Sequence, residues 1–152
     1  MNTTNKPRIK PLGMVAGGIA VLFVLIQLVP VARTNPPITQ AIPWDSVQTQ
    51  QLAERACMDC HSNETKWLWY AYIAPASWLV TRDTIEGRSK LNFSEWDKVA
   101  ADKKAKLAQK VEEEITRGSM PDPKYLPIHP TARLSSTEKQ QLIDGLKASI
   151  LK

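Results

Sequence analysis

Cys57-Met58-Asp59-Cys60-His61, a C-x-x-C-H, is the stretch on which the fold of this chain turns. On a helical turn, residues three apart share a face, so Cys57 and Cys60 can both reach the two vinyl groups of one porphyrin. His61, next in line, is carried beneath the ring, where its imidazole can ligate an iron from the proximal side. The spacing reads as a covalent attachment site for one c-type haem. A structural disulfide, a thioredoxin-like redox pair and half of a zinc site are the alternatives. A disulfide has no use for His61. A zinc site lacks ligands, because Cys57, Cys60, His61 and His129 are the only Cys or His in the chain.

The 152 residues allow one ordinary domain plus a tail. The formal charge is +5, yet its distribution matters more than its sum. Lys6, Arg8, Lys10 and Arg33 lie in or beside an N-terminal segment without acids, which leaves 16 basic residues against 15 acidic ones elsewhere. No basic stripe survives on the domain, so nucleic acid is not expected as a partner.

Leu12 to Ala32 carries Gln27 as its only strongly polar side chain. As one helix it would span about 30 Å, the thickness of a bilayer hydrocarbon core. A cleaved signal peptide would have a shorter apolar region, about 7 to 15 residues, and a small-x-small cleavage site. Here Pro30 occupies the minus-three position before a cut after Ala32. A retained single-pass anchor is therefore expected. Lys6, Arg8 and Lys10 before the run against Arg33 after it place residues 1–11 in the cytoplasm and the remainder on the periplasmic side of the inner membrane. That is also the side on which a c-type haem is attached. Gly13 and Gly17 form a G-x-x-x-G through which two anchors could pair into a weak homodimer.

Residues 33–44, with Pro36, Pro37 and Pro43, read as an extended linker, and residues 45–152 as the haem domain. Asp45, with Gln48 three residues on, is expected to cap a helix that delivers the C-x-x-C-H. Trp67, Trp69, Tyr70, Tyr72 and Trp78 follow, with Pro75 opening a short helix to about Asp83. Ordinary core is the bland reading of these aromatics; as a group they suit the walls of a porphyrin site, Trp67 and Trp78 first. Gly87 and Arg88 read as a polar turn in which Arg88 could pair with a haem propionate or face solvent. Ser94 and Asp97 predict a helix to about Arg117, buried along Trp96, Ala100, Leu107, Val111 and Ile115, with its lysines on the wet face. Gly118 ends it.

Met120 follows that stop, in a loop fixed by Gly118, Pro121 and Pro123, well placed to offer its thioether as sixth ligand. A loop or core methionine is the plain alternative, and His129, between Pro127 and Pro130, is the rival ligand. Ser135 and Glu138 cap a terminal helix to about Leu151, apolar along Leu142, Ile143, Leu146 and Ile150.

The combination resembles the haem-binding domain family, a cytochrome c-like group often preceded by one membrane helix. The resemblance rests on the C-x-x-C-H, Pro75-Ala76-Ser77-Trp78, Gly87-Arg88, Asn92-Phe93-Ser94-Glu95-Trp96, and Gly118-Ser119-Met120-Pro121 continuing through Tyr125 and His129-Pro130. It covers about residues 40 to 150, and departs where Gly145 stands in place of a tryptophan expected in the final helix. It implies an all-α, cytochrome c-like domain with haem c on Cys57 and Cys60 and with His61 and Met120 as axial ligands. One-electron transfer to redox partners in or at the membrane is the expected role, not an enzymatic one. A haem enzyme would need an open distal position with an acid/base group, and a gas or redox sensor would need Met120 to dissociate.

Overall fold

Six α-helices and three short 3-10 turns make up residues 11–152, those described by the computed structural model, with no strand beyond an isolated Gln40–Glu95 bridge. The all-α expectation holds. Lys6, Arg8 and Lys10, on which the expected orientation rests, lie outside the described residues.

The chain forms two units: α1 through Arg33 with Trp67–Thr81, and Thr34–Lys66 with Arg82–Lys152. In the first, α1 (Pro11–Ile26) presents Leu12, Val15, Ile19, Leu22 and Leu25 to its surroundings. The helix was expected to continue to Ala32 but closes at Ile26. Pro30 lacks an N–H and disfavours helical backbone at Val29, and the last turn tightens through bonds from Gln27 N–H to Val24 and Leu28 N–H to Leu25 (3.1 Å each). At 1.5 Å per residue α1 is about 24 Å long. No helix among the described residues is long and apolar enough to cross a membrane.

The same unit holds a 3-10 turn (Trp69–Tyr72) and the start of α4 (Ala76–Lys90). Gln27 reaches this segment in both directions: its Oε1 accepts the Ala74 N–H (2.8 Å) and its Nε2 donates to the Ala74 carbonyl (3.2 Å).

In the second unit, α2 (Val47–Ala56) leads through Cys57 into the single turn α3 (Met58–His61). Its cap is Ser46, one residue beyond the expected Asp45, because the Ser46 hydroxyl accepts the Thr49 N–H (3.2 Å) while the Asp45 N–H donates to Ser149 Oγ (2.9 Å). The helix expected from Ser94 is two elements, a 3-10 turn (Trp96–Lys98) and α5 (Ala101–Thr116). Ser94 is engaged elsewhere: its hydroxyl accepts the Asn63 N–H (3.0 Å) and its carbonyl the Thr39 N–H (3.1 Å). The terminal helix α6 (Ser136–Leu151) has the expected capping box of Ser135 and Glu138.

These helices close over Leu52, Ala53, Ala108, Ile115, Leu142, Ile143, Leu146 and Ile150. Helical spacing marks Ile115 and the four α6 residues in the sequence, whereas Ala108 is buried in place of Ala100, which is exposed because it precedes α5. α6 packs on both α5 and α2. Where α6 meets α2, a β-carbon on Gly145 would stand 1.9 Å from Thr49 Oγ1, so glycine sets that crossing distance. The residue that breaks the family pattern is thus the one the packing requires. The expected linker is partly folded: Ile42 is buried, its N–H bonds the Phe93 carbonyl (2.8 Å), and Trp96 N–H bonds the Gln40 carbonyl (2.8 Å).

Candidate functional site

The C-x-x-C-H turn is fixed from three sides. On one, α4 presses against it: a β-carbon on Gly87 would lie 2.4 Å from the Cys60 carbonyl oxygen, so only glycine permits this approach. Gly87 and Arg88 therefore belong to a helix that runs on to Lys90, and the polar turn expected there is absent. Glycine inside a helix costs about 1 kcal/mol of propensity, which the close contact with Cys60 accounts for. On a second side, the chain leaving the turn joins a buried polar network. Asn92 Nδ2 donates to Asn63 Oδ1 (2.9 Å), Ser94 N–H to Asn92 Oδ1 (3.0 Å), and Phe93 N–H to the His61 carbonyl (2.8 Å). Buried amides of this kind must find partners, which gives Asn92-Phe93-Ser94 its structural reason. On the third side is Asp59, whose Oδ2 accepts the Tyr125 hydroxyl (2.6 Å) and whose Oδ1 accepts the Lys66 N–H (3.1 Å).

Held in this way, Cys57 and Cys60 are unpaired thiols on one turn. Burial, assisted by the neighbouring Cys60, pushes the Cys57 thiol up to about 12, and burial with the negative charge of Asp59 pushes Cys60 up to about 11. Burial thus favours the neutral thiol form of both. Burial lowers the pKa of His61, favouring the neutral ring. Its Nδ1 lies 3.0 Å from the Leu91 carbonyl, an acceptor only, so Nδ1 carries the proton and Nε2 keeps its lone pair. A backbone carbonyl on the far nitrogen is the usual way a protein orients a metal-ligating imidazole.

A cavity of about 290 Å³ opens beside this turn. Cys57 and His61 line it from one side and Met120 from another, and its apolar walls include Phe93, Leu107, Val111, Ile115 and Leu146. Met120 is carried there by the end of α5. Gly118 takes φ 76°, and the N–H groups of Ser119 and Met120 both bond the Glu114 carbonyl at 3.1 Å, folding the chain back over the last turn. His129 does not line the cavity. Its ring stacks on Tyr125 (centroids 3.5 Å apart, planes at 7°), with Nδ1 2.8 Å from the Tyr125 carbonyl.

Other expected site residues are placed differently. The Arg88 guanidinium makes four hydrogen bonds, to the carbonyls of Ser62 and Thr34 (2.7 and 2.8 Å), Asn35 Oδ1 (3.0 Å) and Thr65 Oγ1 (2.8 Å). It braces two loops. Trp67 and Trp78 belong to the first unit, whereas the cavity is drawn from the second.

Lys90 and Lys110 line the cavity, and neither was singled out in the sequence, where a helix lysine signals only a wet surface. They also border a wider hollow of about 590 Å³, lined by Arg88, Lys98, Lys103 and Lys106 with Glu95 its one acid. Of the lysines expected simply to face solvent, Lys103, Lys106 and Lys110 gather on one rim, while Lys104 lies 5.4 Å over the Trp96 ring. Leu91 was missed as well, since its role rests on a carbonyl that every residue has. Leu107, Val111 and Ile115 were legible only as a buried stripe.

The arrangement suits a haem: the Cys57 thiol, an oriented imidazole and a thioether line one largely apolar cavity, together with the ammonium groups of Lys90 and Lys110 and the carboxylate of Glu114, while Cys60 sits on the same turn outside that lining. Residues 21–148 match the family model described as haem-binding domain. No curated protein and no solved structure matches the chain.

Proposed function

We propose, from the premise that this chain belongs to the haem-binding domain family, that it is a membrane-held c-type cytochrome carrying single electrons on the periplasmic side. The observation that carries the reading is the convergence of His61 and Met120 on one apolar cavity bordered by Cys57. A bound haem supplies an iron that gains and loses one electron. The chain's own groups do the rest. Cys57 and Cys60 would hold the group covalently, through thioether links to its two vinyl carbons. Leu91 fixes the His61 tautomer so that Nε2 keeps its lone pair, and His61 Nε2 with Met120 Sδ would hold the iron. Phe93, Leu107, Val111, Ile115 and Leu146 keep water from the iron, and Lys90 and Lys110 offset the propionates.

Iron held by both His61 and Met120 would have no position left for a substrate, which favours electron transfer over enzyme or sensor roles. The basic rim of Arg88, Lys98, Lys103 and Lys106 supports a redox partner with an acidic face. Membrane attachment rests on α1, whose large apolar side chains are exposed, and on the apolar run that continues past its end.

Ligation is tested by the absorption spectrum of the oxidised protein, including the weak near-infrared band of sulfur bound to ferric haem. The band is expected in wild type and in His129→Ala. It should be lost in Met120→Ala, with covalent haem retained and the iron open to added imidazole. Loss in His129→Ala with survival in Met120→Ala would refute the assignment.

A further inference from the structure

We infer that Leu68–Leu79 is an interfacial docking element that seats the protein on the bilayer at the point where α1 leaves it. The inference rests on the proposed insertion of α1.

Residues 67–81 contain no charged side chain, although charges flank them at Lys66 and Arg82. They nonetheless present large apolar groups to the outside: Trp69 is 74% exposed and Tyr72 58%, with Leu68, Ile73 and Leu79 at about 40% each. Exposed aromatic and aliphatic groups gathered in one short segment mark a surface that meets something other than water.

What it meets follows from where the segment is tied. Gln27, one residue past the end of α1, pairs with both backbone groups of Ala74 (2.8 and 3.2 Å). Arg33 Nη1 donates to the Ala71 carbonyl (3.3 Å), and its guanidinium lies 4.7 Å over the Tyr72 ring. Residues 71–74 are therefore held at the end of α1 and go wherever that end goes. If α1 lies in lipid, its exit end lies at the head groups, the level at which tryptophan and tyrosine rings settle with an apolar body and a polar edge. Arg33 is then placed beside lipid phosphates. The same bonds explain the one polar side chain of the apolar run, since an amide near lipid needs its donors and acceptor satisfied.

The test uses the full haem-loaded chain in phosphatidylcholine/phosphatidylglycerol nanodiscs, kept reduced so that a His/Met-ligated iron is diamagnetic. Haem occupies Cys57 and Cys60, so single cysteines at Trp69→Cys, Tyr72→Cys, Ile19→Cys and Lys139→Cys can be spin-labelled. Collisions are measured with oxygen, which enriches in lipid, and with a water-soluble nickel chelate. Labels at 69 and 72 are expected to be shielded from nickel several-fold relative to 139, with oxygen exposure between those of 139 and 19. If 69 and 72 match 139 while 19 is deep in lipid, the docking element is overturned and the anchor stands. If 19 also matches 139, the anchor itself fails, and this inference with it. Shielding accompanied by dipolar broadening between copies would assign the face to a second chain and overturn the lipid assignment.

Discussion

Replacing Gly87 with alanine sets two effects of opposite sign against each other. Gly87 lies inside α4, where helix propensity alone makes Gly→Ala stabilising by about 1 kcal/mol. The added β-carbon would stand 2.4 Å from the Cys60 carbonyl oxygen and 3.1 Å from Cys60 Cβ, against an ordinary contact that begins at 3.4 Å. The obstacle is backbone and cannot rotate away, so α4 and the C-x-x-C-H turn must separate by about 1 Å. Overpacking of this kind costs ~2–3 kcal/mol, which leaves a net destabilisation of ~1–2 kcal/mol and a fall in Tm of ~4–8 °C. The displaced groups are Cys60 and His61, so the fraction of chain carrying covalent haem should fall as well. Urea unfolding of the haem-loaded protein gives the stability, and pyridine haemochrome content per chain gives the attachment. A variant as stable as wild type or more so, with full haem content, would refute the reasoning, because propensity would then have outweighed the contact.

Gly145→Ala should cost ~1–3 kcal/mol in the same urea assay. Adding Thr49→Ala should restore only part of it, because Thr49 Cβ itself would lie 2.8 Å from the new methyl; full recovery would place the clash in the hydroxyl and methyl alone. Glu138 is held down to about 2, from 4.5, by the Ser135 N–H and then the Arg55 guanidinium. A depressed carboxyl stabilises the fold above its unfolded pKa and loses that contribution as pH falls. The stability gap between wild type and Glu138→Gln should therefore be full at pH 7 and close between about pH 4.5 and 2. A gap independent of pH in urea titrations would contradict the capping role. Arg88→Lys removes most of four hydrogen bonds and should cost ~1–3 kcal/mol while the reduction potential stays put. A shifted potential at unchanged stability would return Arg88 to the propionates, one of the two readings its sequence position allows.

The sequence by itself determined which thiols and which imidazole share one turn of the candidate site. Cys57, Cys60 and His61 are legible because their spacing is local: one helical turn places all three, whatever the remainder of the chain does. The stripes Leu107, Val111, Ile115 and Leu142, Ile143, Leu146, Ile150 are legible for the same reason, since periodicity along one helix is enough to mark a buried face. So are the Gly118 stop and the Ser135 cap, which depend on neighbours a few residues away. Tertiary structure decided everything that required two distant segments to meet. Met120 and His61 come to one cavity while His129 is held on Tyr125, a choice made by the fold of the loop after α5. Gly87 and Gly145 look like helix breakers until Cys60 and Thr49 are set against them. Ser94 resembles a cap until Asn63 takes its hydroxyl, and Arg88 a propionate partner until four acceptors surround it. Sequence carries what one turn of backbone can enforce, whereas satisfaction of buried polar groups and steric contact between helices are properties of pairs, written only in three dimensions.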